Sequence, residues 1–238
     1  MKISARFVSL LALVASTAFA QTATDVGDPD SFGRSVRYLG LKSTPTVVLL
    51  PDCTPNPADP LEEGARCLTT PALPGGLQIN ETNLGTMRLP ANASRSLLCF
   101  TIQPVGYLYF YNPTQVNHSL TVSLRSMVTI QSDVLNNPAL VNPQTGTPFN
   151  GRIDLTLSFL NKGRTLPPGH SEHETLLAGR NCMGGLLSRR ALIDQYGLSS
   201  LQAATLFARP ITLSFGLGGL VRGATDGYVS YGMRIYGD

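Results

Sequence analysis

The sequence predicts a mainly β protein: an antiparallel β-sandwich, Greek-key-like, with one short helical insertion near 186–208. Three observations carry this. Apolar and polar residues alternate with period two over several segments, which puts one side of each on a core and the other in water. Charged residues make up 14% of the chain, against about 25% in ordinary soluble domains, so Ser, Thr, Asn and Gln must cover much of the surface. Four cysteines, an even number, follow what reads as an export leader.

Four strands are the clearest. Leu120, Val122, Leu124, Val128 and Ile130 share one phase of a long strand. Ile153 to Phe159 and Ile211 to Phe215 alternate without a break, and Val229, Tyr231, Met233 and Ile235 alternate with Ser230, Gly232 and Arg234. Val36–Leu41, Val47–Leu50, Leu97–Ile102 and Val105–Tyr111 read as further strands, with Thr86–Leu89 and Glu172–Leu177 as weaker ones. Such strands belong in two stacked sheets.

Two stretches read as loops. Pro51 to Gly76 holds six prolines and two cysteines, and Asn136 to Gly151 reads NNPALVNPQTGTPFNG, rich in turn formers. Helix is expected from Leu187 to Tyr196, stopped at Gly197. A second helix, from about Ser200 to Ala208, is announced by the capping box Ser199-Ser200-Leu201-Gln202 and ends before Pro210. The pair is expected to cover one end of the sandwich.

Residues 1–20 read as a signal peptide. Lys2 and Arg6 precede the apolar run Phe7–Ala15, and Ala18-Phe19-Ala20 has the small-x-small cleavage pattern. The run is too short to span a bilayer as a helix. Cleavage leaves 21–238 as a single sandwich domain with no transmembrane helix, exported to the periplasm or the outside. The chain carries 18 basic and 15 acidic residues; losing Lys2 and Arg6 leaves sixteen against fifteen. Near-neutrality without basic clusters argues against nucleic acid, which requires dense Lys and Arg to displace counterions. In an oxidising compartment the cysteines are expected to pair as Cys53–Cys67 and Cys99–Cys182. Zinc is disfavoured because no CxxC pair exists, and no cofactor is implied.

GHSEHE, residues 169–174, is the one crowding of histidine and carboxylate. It matches neither HExxH nor its inverted form. On a strand, His170, Glu172 and Glu174 share a face while His173 points away, so the segment is either a metal half-site, a catalytic pair or a solvated strand entrance. Asp28, Asp30 and Gly33 partly match a calcium loop, but Phe32 and Leu39 stand where oxygen ligands belong; an Asx-turn is the better reading. Nucleophilic catalysis lacks GxSxG. The best binding candidate is Tyr107, Tyr109 and Tyr111, which alternate with Leu108 and Phe110 and so line one face of a strand. Each ring offers an apolar face and a polar tip for sugars or peptide edges.

These observations lead to an exported, non-enzymatic binding or structural protein of a bacterial envelope or cell surface, with an envelope protein or polysaccharide as partner. Two alternatives stand beside it: a secreted hydrolase using carboxylates and histidines near 170–174, and an outer-membrane β-barrel.

Overall fold

The structure, a computed structural model, describes residues 35–58, 60–176, 179 and 187–238. The leader, the acidic stretch 25–33 and Cys182 lie outside the described residues. In chain order the strands are β1 (Arg37–Ser43), β2 (Val47–Leu50), β3 (Arg66–Thr69), β4 (Gly76–Leu89), β5 (Leu97–Tyr111), β6 (His118–Gln131), β7 (Val141–Asn142), β8 (Thr147–Pro148), β9 (Arg152–Leu166), β10 (Ser171–Leu176) and β11 (Leu187–Ser188). Helices α1 (Arg189–Asp194) and α2 (Ser200–Ala208) follow, then β12 (Ile211–Arg222) and β13 (Ala224–Gly237).

Two open sheets face each other. One runs β10-β5-β13-β2-β3, with β1 on the far half of β13 and β11 on the start of β5. The other runs β4-β12-β6-β9. Neither closes into a barrel. Most successive long strands cross from one layer to the other, the long-range wiring of a Greek-key-like sandwich. The inward residues of both sheets form the core. Leu98, Phe100, Ile130, Leu213, Phe215 and Ile235 fill the end covered by α1 and α2. Val47, Leu49, Leu108, Val122 and Val221 fill the opposite end.

The helical cover forms as the sequence suggests, but shorter. Ser188 caps α1, and Ser199 and Gln202 make the reciprocal capping box of α2. After α1 the chain turns through Gly197 (φ 70°), with Leu198 N–H donating to Leu192 O at 3.0 Å. Residues 187–188, expected as helix, instead pair with β5.

Four strand expectations change. The segments 97–102 and 105–111 are one strand, β5, continuous through Pro104. Among the described residues nothing pairs with the outer flank of β5 between Leu98 and Gly106, where a proline is tolerated. The loop 51–76 contains β3, which runs parallel to β2; the crossover is stapled by Cys53–Cys67, with Cα atoms 5.7 Å apart. Cys99 is also disulfide-bonded. The weak strand expected at Thr86–Leu89 is the end of a longer one, β4, which begins at Gly76 and whose alternation is broken because three residues, 82–84, stand opposite Gly216 alone. A Cβ on Gly216 would lie 2.7 Å from Glu81 O, so only glycine admits the bulge.

The fourth change matters most. In β9, Ser126 pairs with Ser158 but Met127 with Thr156, so Leu157 is an extra residue. One extra residue exchanges the two faces of a strand. Ile153, Leu155 and Leu157 point inward; beyond the bulge the even residues do, and Phe159 is 53% exposed instead of joining the core.

Both irregularities fall on one cross-strand level, where Gly216 pairs with Met127. Tyr231 reaches across from the other sheet to this level, its hydroxyl donating to Gly216 O at 2.8 Å, with Met127 O at 3.2 Å. Burial pushes its phenol far above the usual range, and the Gly216 bond only partly offsets this. Ser158 and Ser126 hydrogen-bond beside it at 3.0 Å. Replacing Tyr231 with Phe is expected to lower stability by about 1–2 kcal/mol in urea unfolding, the worth of one buried hydrogen bond.

At the end of β13, Asp238 accepts from Ser96 Oγ (2.6 Å), Ser94 Oγ (2.7 Å) and the backbone N–H groups of Ser96 and Arg95. Partial burial opposes its charge, but these hydrogen bonds outweigh it and hold the carboxyl well below the usual range. A folded-state pKa below the unfolded value stabilises above about pH 4, and that stabilisation fades as pH falls further. Asp238→Asn is therefore expected to lower the melting temperature at pH 7, with the difference from wild type shrinking steadily as pH falls below about 4.

Candidate functional site

β9 and β10 are the edge strands on one open side of the sandwich, each ending its own sheet. The turn Pro167-Pro168-Gly169 joins them. Because of the bulge at Leu157, Lys162 and Arg164 face inward from β9, and Glu172 and Glu174 meet them from β10. Lys162 pairs with Glu174 and Arg164 with Glu172, and Arg164 also approaches Glu174 at 3.7 Å. The Glu174 side chain is 10% exposed, whereas Lys162 and Arg164 are about half exposed. The basic ends thus sit in water while their stems close the gap over Phe110, Leu120 and Val122. Inward charge on an edge also deters pairing with another chain. The gap beneath holds about 20 Å³, room for one water and not for a substrate.

The crowded segment is therefore split. Its two glutamates are consumed by ion pairs between the sheets. His170 precedes β10 and turns back on the loop, with Nδ1 2.9 Å from Pro168 O. That turn is tied down by buried Asn112, whose backbone N–H donates to His170 O and whose side chain donates to Leu166 O. Among the described residues no three His, Cys, Asp or Glu side chains converge as metal ligands.

His173 points the other way, onto the outer face of the seven-stranded sheet. There it stands directly across from Tyr109 of β5. Its ring lies 4.8 Å from that of Tyr109 and stacks on Tyr107 at 5.5 Å. Tyr228 of β13 continues the row, 6.0 Å from Tyr107. Tyr111 lies one step further along β5 and is 39% exposed. Asp226 also faces out beside Tyr109. Loss of solvent, then the Asp226 carboxylate and the neighbouring phenols, raise the Tyr107 phenol above its ordinary range. The row alternates with Leu108 and Phe110 in the core, the period-two placement expected of a strand.

No protein family matches the chain, and no curated protein does. Among solved structures, it shows similarity to the infectious bursal disease virus Gt strain at 12% identity and TM-score 0.18, covering 77% of this chain and 41% of that one. The Gx strain of the same virus matches at 17% identity and TM-score 0.15, covering 76% and 45%. The chain spans less than half the length of either. Alignments this poor carry no argument about fold or function.

Sequence reading found Tyr107, Tyr109 and Tyr111 but missed Tyr228, Lys162 and Arg164. A signal for the last two was present. Lys162 and Arg164 stand at the same distances before Pro168 as Glu174 and Glu172 stand after it. A double-mutant cycle on Lys162→Met and Glu174→Met is expected to give a coupling of about 1 kcal/mol or more in urea unfolding, above the usual yield of an exposed pair.

Proposed function

We propose that the protein is an exported, non-enzymatic binding protein of a bacterial envelope or surface. It holds a polysaccharide through the tyrosine–histidine row of the seven-stranded sheet. One observation carries this reading: Tyr228, Tyr107, His173 and Tyr109 join three neighbouring strands in one run of touching rings on the outer face. The strands are rigid, so the rings are held in place before a ligand arrives and little ordering entropy is lost on binding. A sugar ring lays its C–H face on an aromatic face, while the phenol tips and Asp226 accept or donate to its hydroxyls. The chemistry of the neighbouring segment agrees, because Glu172 and Glu174 are taken up by ion pairs to Arg164 and Lys162 across the sheets.

Titration of the full chain with cell-wall polysaccharide is expected to change intrinsic tyrosine fluorescence saturably. Tyr107→Ala with Tyr109→Ala is expected to abolish the change without unfolding the protein. Glu172→Gln with Glu174→Gln is expected to leave binding intact while lowering the melting temperature. An unchanged signal in the wild type, or full binding by the tyrosine double variant, refutes the assignment.

A further inference from the structure

We infer that the opposite face of the molecule carries a second site, for a short acidic oligosaccharide. Residues 132–136 and the turn Asn150-Gly151 form its wall. Across the end of the four-stranded sheet, Arg88 of β4 pairs with Thr212 of β12, Thr212 with Gln131 of β6, and Gln131 with Arg152 of β9. These four residues make one continuous cross-strand row. Each points outward, because Leu89, Ile211, Ile130 and Ile153 beside them are buried. The row is the floor of a cleft of about 460 Å³, which Asn136 and Asn150 also line. Its volume is in the range of small-molecule sites.

The wall is fixed by backbone bonds. Gly151 N–H donates to Leu135 O at 3.0 Å, and Ser132 N–H donates to Gly151 O at 3.1 Å. Asn150 and Gly151 are both left-handed, at φ 51° and 82°. A Cβ on Gly151 would lie 2.5 Å from Asn136 Oδ1, so glycine is what lets the Asn136 amide lie against this turn.

The chemistry points to a class of ligand. Arg88 enters no ion pair among the described residues. Arg152 has only a long contact to Asp154, at 3.8 Å and in water. Two guanidinium forks suit carboxylates, which they grip with paired N–H donors. Between them Thr212, Gln131, Asn136 and Asn150 offer neutral donors and acceptors suited to hydroxyls. Three interstrand steps separate the arginines, about 14 Å between backbones. That is the span of a short chain of sugars. Asp133, which lines the cleft, and Asp154 beside Arg152 disfavour a dense polyanion such as nucleic acid, whereas a sugar chain carrying spaced carboxylates can seat them at the two arginines and away from Asp133. The site lies on the opposite sheet from the tyrosine row, and its assignment does not depend on that one.

The test is calorimetric titration of the full chain with trigalacturonate, with its methyl ester, with tri-aspartate and with inorganic sulfate. Saturable binding of trigalacturonate is expected. The methyl ester is expected to bind at least about tenfold more weakly, and Arg88→Gln with Arg152→Gln to lose at least about tenfold, with melting temperature unchanged. Tyr107→Ala with Tyr109→Ala is expected to bind trigalacturonate as wild type does, which separates this site from the other. Should the arginine double variant fold poorly, Arg152→Lys keeps the charge and loses the fork, and it is expected to bind several-fold more weakly. The inference is overturned by absence of saturable binding up to about 10 mM, by full binding in a folded arginine variant, or by equal binding of the methyl ester. Equal binding of tri-aspartate or of sulfate overturns it as well, in favour of an acidic peptide or a bare anion.

Discussion

A pleated strand has two faces, and every side chain beyond an odd insertion changes face. That constraint, applied at Leu157 of β9, organises this molecule. Before the bulge β9 supplies core residues to the end of the sandwich covered by helices. After it the same strand, now inverted, aims a lysine and an arginine at the facing sheet. Without the inversion Lys162 and Arg164 would point to solvent, Glu174 would lie buried without cations, and the side between β9 and β10 would have no closure. An uncompensated carboxylate in that position is far more costly than the exposed pairs that dress most surfaces.

The bulge also creates a cost, which the opposite layer absorbs. Ladder irregularities in β9 and β4 coincide on one level of the four-stranded sheet. Polar groups gather there in the middle of an otherwise apolar interior. Tyr231 meets that level from across the core and is itself anchored, its backbone N–H donating to Thr44 Oγ1 at 3.0 Å. Ser126 and Ser158 satisfy each other. Buried polar groups are tolerable when paired, and here the pairing stitches one sheet to the other, dividing the interior into two apolar halves.

Much of this architecture was legible in the chain. Regular alternation located β6, β12 and β13 and both halves of β5, because those strands keep one phase over their buried lengths. The capping box located α2, because its two reciprocal hydrogen bonds depend on residues three apart. What escaped was irregular or non-local. Only the last four residues of β4 were read as strand, because residues 82–84 crowd two surplus residues against Gly216 and interrupt the alternation. β3 hid in a proline-rich segment, since four residues with only partly buried side chains leave little periodic trace. Phe159 was assigned inward because alternation alone gives no sign of a slip. The tyrosine row was half visible: Tyr107, Tyr109 and Tyr111 share a strand, but His173 and Tyr228 join them only through pairing, which a single chain does not display. The symmetry of charge about Pro168 was visible in principle and becomes meaningful only once the two flanking strands are known to sit in different layers.

The two ladder defects of the four-stranded sheet differ in parity. β4 carries two surplus residues and β9 one. An even surplus leaves inside and outside where they were, so Leu77, Ile79, Met87 and Leu89 all keep the same side despite the distortion between them. An odd surplus turns the strand over. Gains or losses of chain length are therefore unequal events here: a pair of residues added to β4 is a local ripple, and loss of Leu157 itself would leave a regular ladder with both cations still inward, whereas a single deletion between 159 and 161 would fling the two cations outward. What such a strand conserves under length change is its count modulo two.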